Sequence, residues 1–283
     1  MSQKLDLCFF IFTFCFILNE VFQKVVFFTL AILMKLSPIS VMHYLKLIGR
    51  SAMFLLALVL YILGKVCGGE MFNGFEHGIL PYIYALIFSV EILLRLFPSK
   101  LESLGCQKHF EKNYVPRCEV QKSALRKKGL KMITPVALSW VALNAAIFAL
   151  YFLGIIDWGV LVLISLAYSI CDMICILFFC PFQSWMMFNK CCGSCRIYNW
   201  DFIMMFTPLI FFRHPLAYLL VGMSLLLFIR WELGAYLHPE RYFEESNAML
   251  SCANCQEHLC HHKKQLRGFH KRLIKMGYTL IRK

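Results

Sequence analysis

Charge is what this chain has least of. Asp, Glu, Lys and Arg make up 16% of its 283 residues, against about 25% in ordinary globular domains, so most of a soluble surface is missing. Acid is scarcer than base, 16 residues against 29, which leaves a formal charge of +13. Pro and Gly are also few, at 9 and 15, which excludes a collagen-like or low-complexity chain. No Walker-type glycine loop, dinucleotide fingerprint, Gly-x-Ser-x-Gly elbow or His-Glu-x-x-His pair occurs. None of the common phosphate, acyl-transfer or metalloprotease motifs therefore points to an activity. An internal repeat of the kind many transporters carry is missing too.

What the chain has is apolar length. Hydrophobic residues reach 60%, Phe alone supplies 27, and mean hydropathy is +0.65. Several runs near twenty residues predict an all-α polytopic transmembrane helix bundle of six to eight crossings. The first run, from Leu7, has a weakly basic start and no small-x-small cleavage site, so it reads as retained rather than as a signal peptide. Asn19, Glu20, Gln23 and Lys24 interrupt it before it resumes to Met34. One long tilted helix with Glu20 and Lys24 paired at i,i+4 is preferred to two short passes. Further spans are expected over 52–66, 79–97, 135–153 and 155–179, the last turning on Gly154 and Asp157.

The stretch 202–229 poses a problem, because Arg213-His214-Pro215 lies near its middle. One straight helix would bury Arg213 at the bilayer centre, at a cost of about 2.5–3.5 kcal/mol. Two short helices joined there place the charge at the opposite interface, with Pro215 opening the second helix, where a missing N–H is harmless. Tyr198 and Trp200 would then share an interface with Trp231. The organisation expected is 1–179 as transmembrane helices with a basic loop at 98–131, 180–232 as a cysteine-rich loop and final hairpin, and 233–283 as a tail.

Basic residues set the orientation. The segment 35–50 carries Lys35, Lys46 and Arg50 and no acid, and 98–131 carries nine bases against Glu102, Glu111 and Glu119. The intervening connection holds Glu70 and Glu76 and no base. By the positive-inside rule the chain is a multi-pass cell-membrane protein with both basic loops in the cytoplasm. The hairpin puts the cysteine-rich loop and the tail there as well.

Of 14 cysteines, Cys8, Cys15, Cys67, Cys171 and Cys175 sit in or at the end of apolar runs, where a thiol behaves as a small hydrophobe. Cys106 with His109, and Cys118, suggest at most a partial ligand set, and Cys180 can be read either way. Six others cluster. Residues 191–195 read Cys-Cys-Gly-Ser-Cys, and Cys252, Cys255, Cys260, His261 and His262 fall within eleven residues that also hold His258. Each cluster contains Cys-x2-Cys, a spacing that lets two thiolates reach one ion from a tight turn, with Gly193 easing the first turn. Two such pairs beside extra Cys and His predict a soft-ligand metal site at Cys191, Cys192, Cys195, Cys252, Cys255, Cys260, His261 and His262, occupied by zinc or an iron–sulfur cluster. A reducing cytoplasmic face disfavours disulfides. The hairpin answers the long gap between the pairs by returning the chain near its start, so that Cys192, Cys195, Cys252 and Cys255 share one ion.

The runs CPFQSWMMFNKCCGSCRIYNWD (180–201) and HPERYFEESNAMLSCANCQEHLCHHKK (238–264) resemble an uncharacterised group of bacterial cysteine-rich polytopic membrane proteins. The resemblance implies no activity.

Glu91, Arg95 and Asp172 fall well inside predicted spans. Glu91 and Arg95 lie at i,i+4 and read as a self-neutralising pair or as the lining of a polar path. Asp172 has no partner in its own turn, and an unpaired intramembrane acid is a functional candidate unless Arg95 or Asn144 reaches it. At the membrane edge, Asp201 is expected to cap the next helix and Arg196 to bind lipid phosphate. His238-Pro239-Glu240 reads as a helix start. From 262 to 283 there are eight bases, no acid, and an apolar stripe of Leu266, Phe269, Leu273, Met276 and Leu280. That pattern suits a helix lying on anionic lipid, and no nucleic-acid partner is expected. Three functions stay open: a membrane redox protein with an iron–sulfur centre, a transporter or channel with structural zinc, and a non-catalytic scaffold or sensor.

Overall fold

A computed structural model describes residues 38–67, 78–189 and 191–255. Helices account for the regular structure. They are α1 (Pro38–Cys67), α2 (Leu80–Leu96), α3 (Leu104–Gln107), α4 (Lys122–Phe152), α5 (Trp158–Leu177), α6 (Asp201–Phe206) and α7 (Pro215–Leu237). No strand occurs among the described residues, and an isolated β-bridge joins Pro116 to Asn247. Four helices, α1, α4, α5 and α7, are long and apolar enough to cross a membrane. With 17 residues, α2 extends about 26 Å, slightly less than a hydrocarbon core of about 30 Å. Membrane-capable helices thus number four among the described residues, where six to eight crossings were expected. The apolar stretch 7–34, with its choice between one pass and two, lies outside the described residues.

Two segments expected to be loops are helical. Pro38 opens α1, so Lys46 and Arg50 project from a helix rather than a loop. Lys122 to Lys131 form the first turns of α4. Leu125 and Gly129 are buried there, and a Cβ on Gly129 would sit 3.5 Å from the Phe243 ring. Packing against the tail thus overrides the local polarity of this turn. The helix continues through Pro135, with the Thr134 hydroxyl donating to the Leu130 carbonyl at 2.8 Å beside the interrupted rung. Gly154, with φ +72°, makes the turn into α5. Asp157 caps that helix by accepting from the Val160 amide at 3.1 Å. It also pairs with Lys65 at 2.6 Å, joining α1 to α5 at one end of the bundle.

The stretch 202–229 folds back on itself. α6 passes into a 3-10 turn over Thr207–Phe211, the chain is extended at Phe212 and His214, and α7 starts at Pro215. His214 caps the new helix through Nδ1, which accepts from the Leu216 amide at 3.3 Å. Arg213 is exposed at the tip. The descending arm is only eleven residues (201–211), so the arms are unequal. Trp231 and Glu232, deep in the ascending arm, bond back to Arg196 and Trp200. The two arms therefore start and finish at the same level.

Buried apolar side chains form three clusters, two of which frame the site. One apolar cluster joins α1, α2, α5, α6 and α7 through Phe88, Ile92, Leu166, Phe202, Phe206 and Leu220. A second, at the end away from Asp157, gathers Cys106, Cys195, Tyr198, Trp200, Trp231 and Tyr242. Large apolar side chains face outward from the long helices, including Leu138 and Val141 on α4 and Leu219 and Leu226 on α7. Contiguous exposed apolar faces of this kind suit contact with lipid.

Candidate functional site

Beneath the second cluster lies a network of buried charges. Arg50 donates to Glu91 at 2.6 Å, to Asp172 at 2.9 Å and to the Ser169 carbonyl at 3.0 Å. Lys46 reaches Glu102 at 2.9 Å and Glu91 at 4.0 Å. Arg95 pairs with Asp201 and lies 3.8 Å from Glu102. Three bases thus face four carboxylates, and together they lock α1, α2, α5, α6 and the 98–103 connection. Glu91 and Arg95, one turn apart, take different partners rather than each other. A local i,i+4 pair contributes only about 0.2–0.5 kcal/mol, whereas a buried carboxylate must find a cation wherever one can reach. Asp172 finds its partner on α1, in Arg50, which sequence reasoning had placed in a loop. Asp201 pairs with Arg95 at the start of α6, and its second oxygen accepts from its neighbour's amide. Arg196 is buried and forms a bidentate pair with Glu232 at 2.8 and 2.6 Å.

The turn 191–195 sits on this platform. The Cys195 amide donates to the Cys192 carbonyl at 2.9 Å. Lys108 is wholly buried and donates to the carbonyls of Cys195 at 2.7 Å and Gly193 at 3.4 Å, with the rings of Trp231 and Tyr242 within 5.3 and 5.6 Å. Burial pushes its ammonium down to about 7, against the opposing pull of Cys195. Burial likewise raises the Cys195 thiol to about 12 and raises that of Cys191. Trp231 donates to the Arg196 carbonyl at 2.8 Å. Gly193 does not have a positive φ, and Gly154 is the glycine that does among the described residues. The glycine this turn depends on is Gly105, where a Cβ would meet the Tyr198 ring at 2.7 Å and Gly193 Cα at 3.0 Å.

The segment 238–255 is tied down independently. Pro239–Arg241 forms a single 3-10 turn rather than a longer helix. Asn247 accepts from the Val115 and Met249 amides at 3.3 and 3.1 Å and donates to the Arg241 carbonyl at 3.0 Å. The Ala248 amide donates to the Val115 carbonyl at 2.8 Å. Ala248–Leu250 packs on α3, as the 191–195 turn does, so Cys252 and Cys255 lie at the same end as that turn. Cys192 and Cys195 point elsewhere, into a cavity of about 290 Å³, where the Cys192 thiol donates to Gln183 Oε1 at 3.1 Å. Among the described residues no three His, Cys, Asp or Glu side chains converge on one position, so Cys192, Cys195, Cys252 and Cys255 are not assembled around one ion. Cys260, His261 and His262 lie outside the described residues. Cys106 and His109 do not act together as ligands: the thiol donates to the Ser103 carbonyl at 3.1 Å, and His109 Nδ1 contacts the Cys106 carbonyl at 2.9 Å.

Sequence reasoning passed over Lys108, Arg50 and Glu232. None sits in a motif, and each matters only through partners far along the chain. No protein-family model, curated protein or solved structure matches the chain.

Proposed function

We propose that the chain is an integral membrane protein whose thiol-rich end faces the cytoplasm and carries a thiolate-ligated redox centre. In this reading the ligands come from among Cys191, Cys192, Cys195, Cys252, Cys255, Cys260, His261 and His262, drawn together when the metal binds. The basic stretch 262–283 lies on anionic lipid, and the Lys- and Arg-rich segments set the orientation. The observation that supports the reading is that the 191–195 turn and the Ala248–Leu250 turn both pack at α3, which puts two thiol pairs far apart in sequence at one end of the protein. Each lies on a segment that other bonds already fix to the body, the first through Lys108 and Trp231, the second through Asn247. A metal serving only to hold the fold together has little left to hold there. An electron-carrying iron–sulfur cluster therefore fits better than structural zinc.

Anaerobic purification tests this. Broad visible absorption with stoichiometric iron and sulfide is expected, and both should be lost in a Cys252→Ser/Cys255→Ser variant. A colourless protein with stoichiometric zinc would refute the redox role and favour a scaffold or transporter. Unchanged metal content in the variant would refute the shared site.

A further inference from the structure

We propose that the cavity bounded by α4, α5, α6 and the 191–195 turn binds a soft monovalent cation of the copper(I) class, with the sulfurs of Cys175 and Cys180 as its first ligands. Five thiols that form no disulfide, Cys171, Cys175, Cys180, Cys192 and Cys195, line this one volume of about 290 Å³. A thiol that merely fills a core has packed neighbours on every side, whereas each of these five borders the cavity on one side. Cys171 and Cys175 stand one turn apart on the same face of α5. Cys175 and Cys180 flank the C-terminal end of that helix on the wall of the same cavity. Cys192 and Cys195 line it from the 191–195 turn. The five thiols thus border one volume that runs from within the bundle to that turn.

The rest of the wall decides what these thiols are for. Met204 and Met205 contribute thioethers, which cannot take part in disulfide exchange but do ligate soft metals. Asp172 and Asp201 also line the cavity, and the network behind them holds four carboxylates to three bases, which favours a cation. A hard cation would seek more oxygen ligands than two carboxylates already engaged by arginine. A filled-shell monovalent ion is satisfied by two sulfurs, in keeping with a region where no three ligands converge. A volume larger than one ion, lined by successive sulfurs, lets the ion step from pair to pair toward the edge. This site is separate from the proposed redox centre, and either can stand without the other.

The test uses the full chain in detergent, reduced and stripped of metal, with copper(I) held by a competing chelator. Wild type is expected to draw copper from the chelator. A Cys175→Ser/Cys180→Ser variant should bind more than about 100-fold more weakly, beyond the loss seen when only an outer-shell group is removed. Because the emptied Cys252–His262 cluster also takes soft metals, the comparison is repeated in a Cys252→Ser/Cys255→Ser background, where the loss caused by Cys175→Ser/Cys180→Ser should persist. Silver(I) provides a second measurement that needs no variant: it should protect Cys175 and Cys180 of wild type from maleimide, as read by peptide mass spectrometry. Equal affinity in wild type and the Cys175→Ser/Cys180→Ser variant, or no protection by silver, overturns the proposal. A Cys175–Cys180 disulfide in protein alkylated inside cells before lysis also overturns it, in favour of dithiol redox chemistry.

Discussion

Replacing Arg50 by Met tests the buried network at its centre. The guanidinium is 2% exposed and is the closest cation to both Glu91 and Asp172. Met fills most of the stem but leaves two carboxylates on three helices' shared face without their nearest counter-charge, and shifts the local balance by a further unit of negative charge. Removing one partner from a buried ion pair costs about 3–5 kcal/mol. For a protein of this size, that corresponds to a fall in unfolding temperature of about 6–20 °C. The same physics predicts rescue. An Arg50→Met/Glu91→Gln/Asp172→Asn variant replaces the three charges with neutral groups of similar shape, and such replacements are often neutral or stabilising. Intrinsic tryptophan fluorescence during heating in detergent reads both variants, since Trp200 and Trp231 sit in the packed end. The reasoning is refuted if Arg50→Met melts with wild type, or if the triple variant is no more stable than the single one.

Two further outcomes concern the thiol-rich end. Lys108 has a folded pKa near 7, held there by burial, so between pH 7 and its unfolded value the unfolded chain binds more protons and stability rises with pH. The raised thiol of Cys195 works in the opposite sense above its usual value. The window is therefore pH 7 to 8.5, where wild type should gain stability relative to Lys108→Met, and parallel melting curves across that window would contradict the assignment. Gly105→Ala pushes a methyl group into the Tyr198 ring and the Gly193 backbone, an overpacking cost of about 1–3 kcal/mol. It should open Cys195, now 7% exposed, to maleimide, while the already exposed Cys118 and Cys252 label at unchanged rates.

What could be read from the sequence, and what could not, divides along a physical line. Features set by the local chain were legible. The break at Arg213-His214-Pro215 follows from the cost of a buried charge and the tolerance of a helix start for proline, and α7 begins at Pro215 as that argument requires. The turn on Gly154 and the cap at Asp157 have the same local origin. Features set by which helices become neighbours were not legible. Glu91 and Arg95 look like a pair because they share a face, but α1 brings Arg50 against one and α6 brings Asp201 against the other, and buried cross-helix partners outweigh a neighbour one turn away. Cys175 illustrates the point most sharply. An apolar run predicts a filler thiol, and only the reversal of the chain after α5, with the 191–195 turn held by Lys108, sets it on the wall of a volume that Cys180 also lines. The period of a helix reports which face a residue occupies. It does not report whether that face meets lipid, a packed neighbour or a cavity, and for a thiol those three surroundings mean inertness, packing or chemistry.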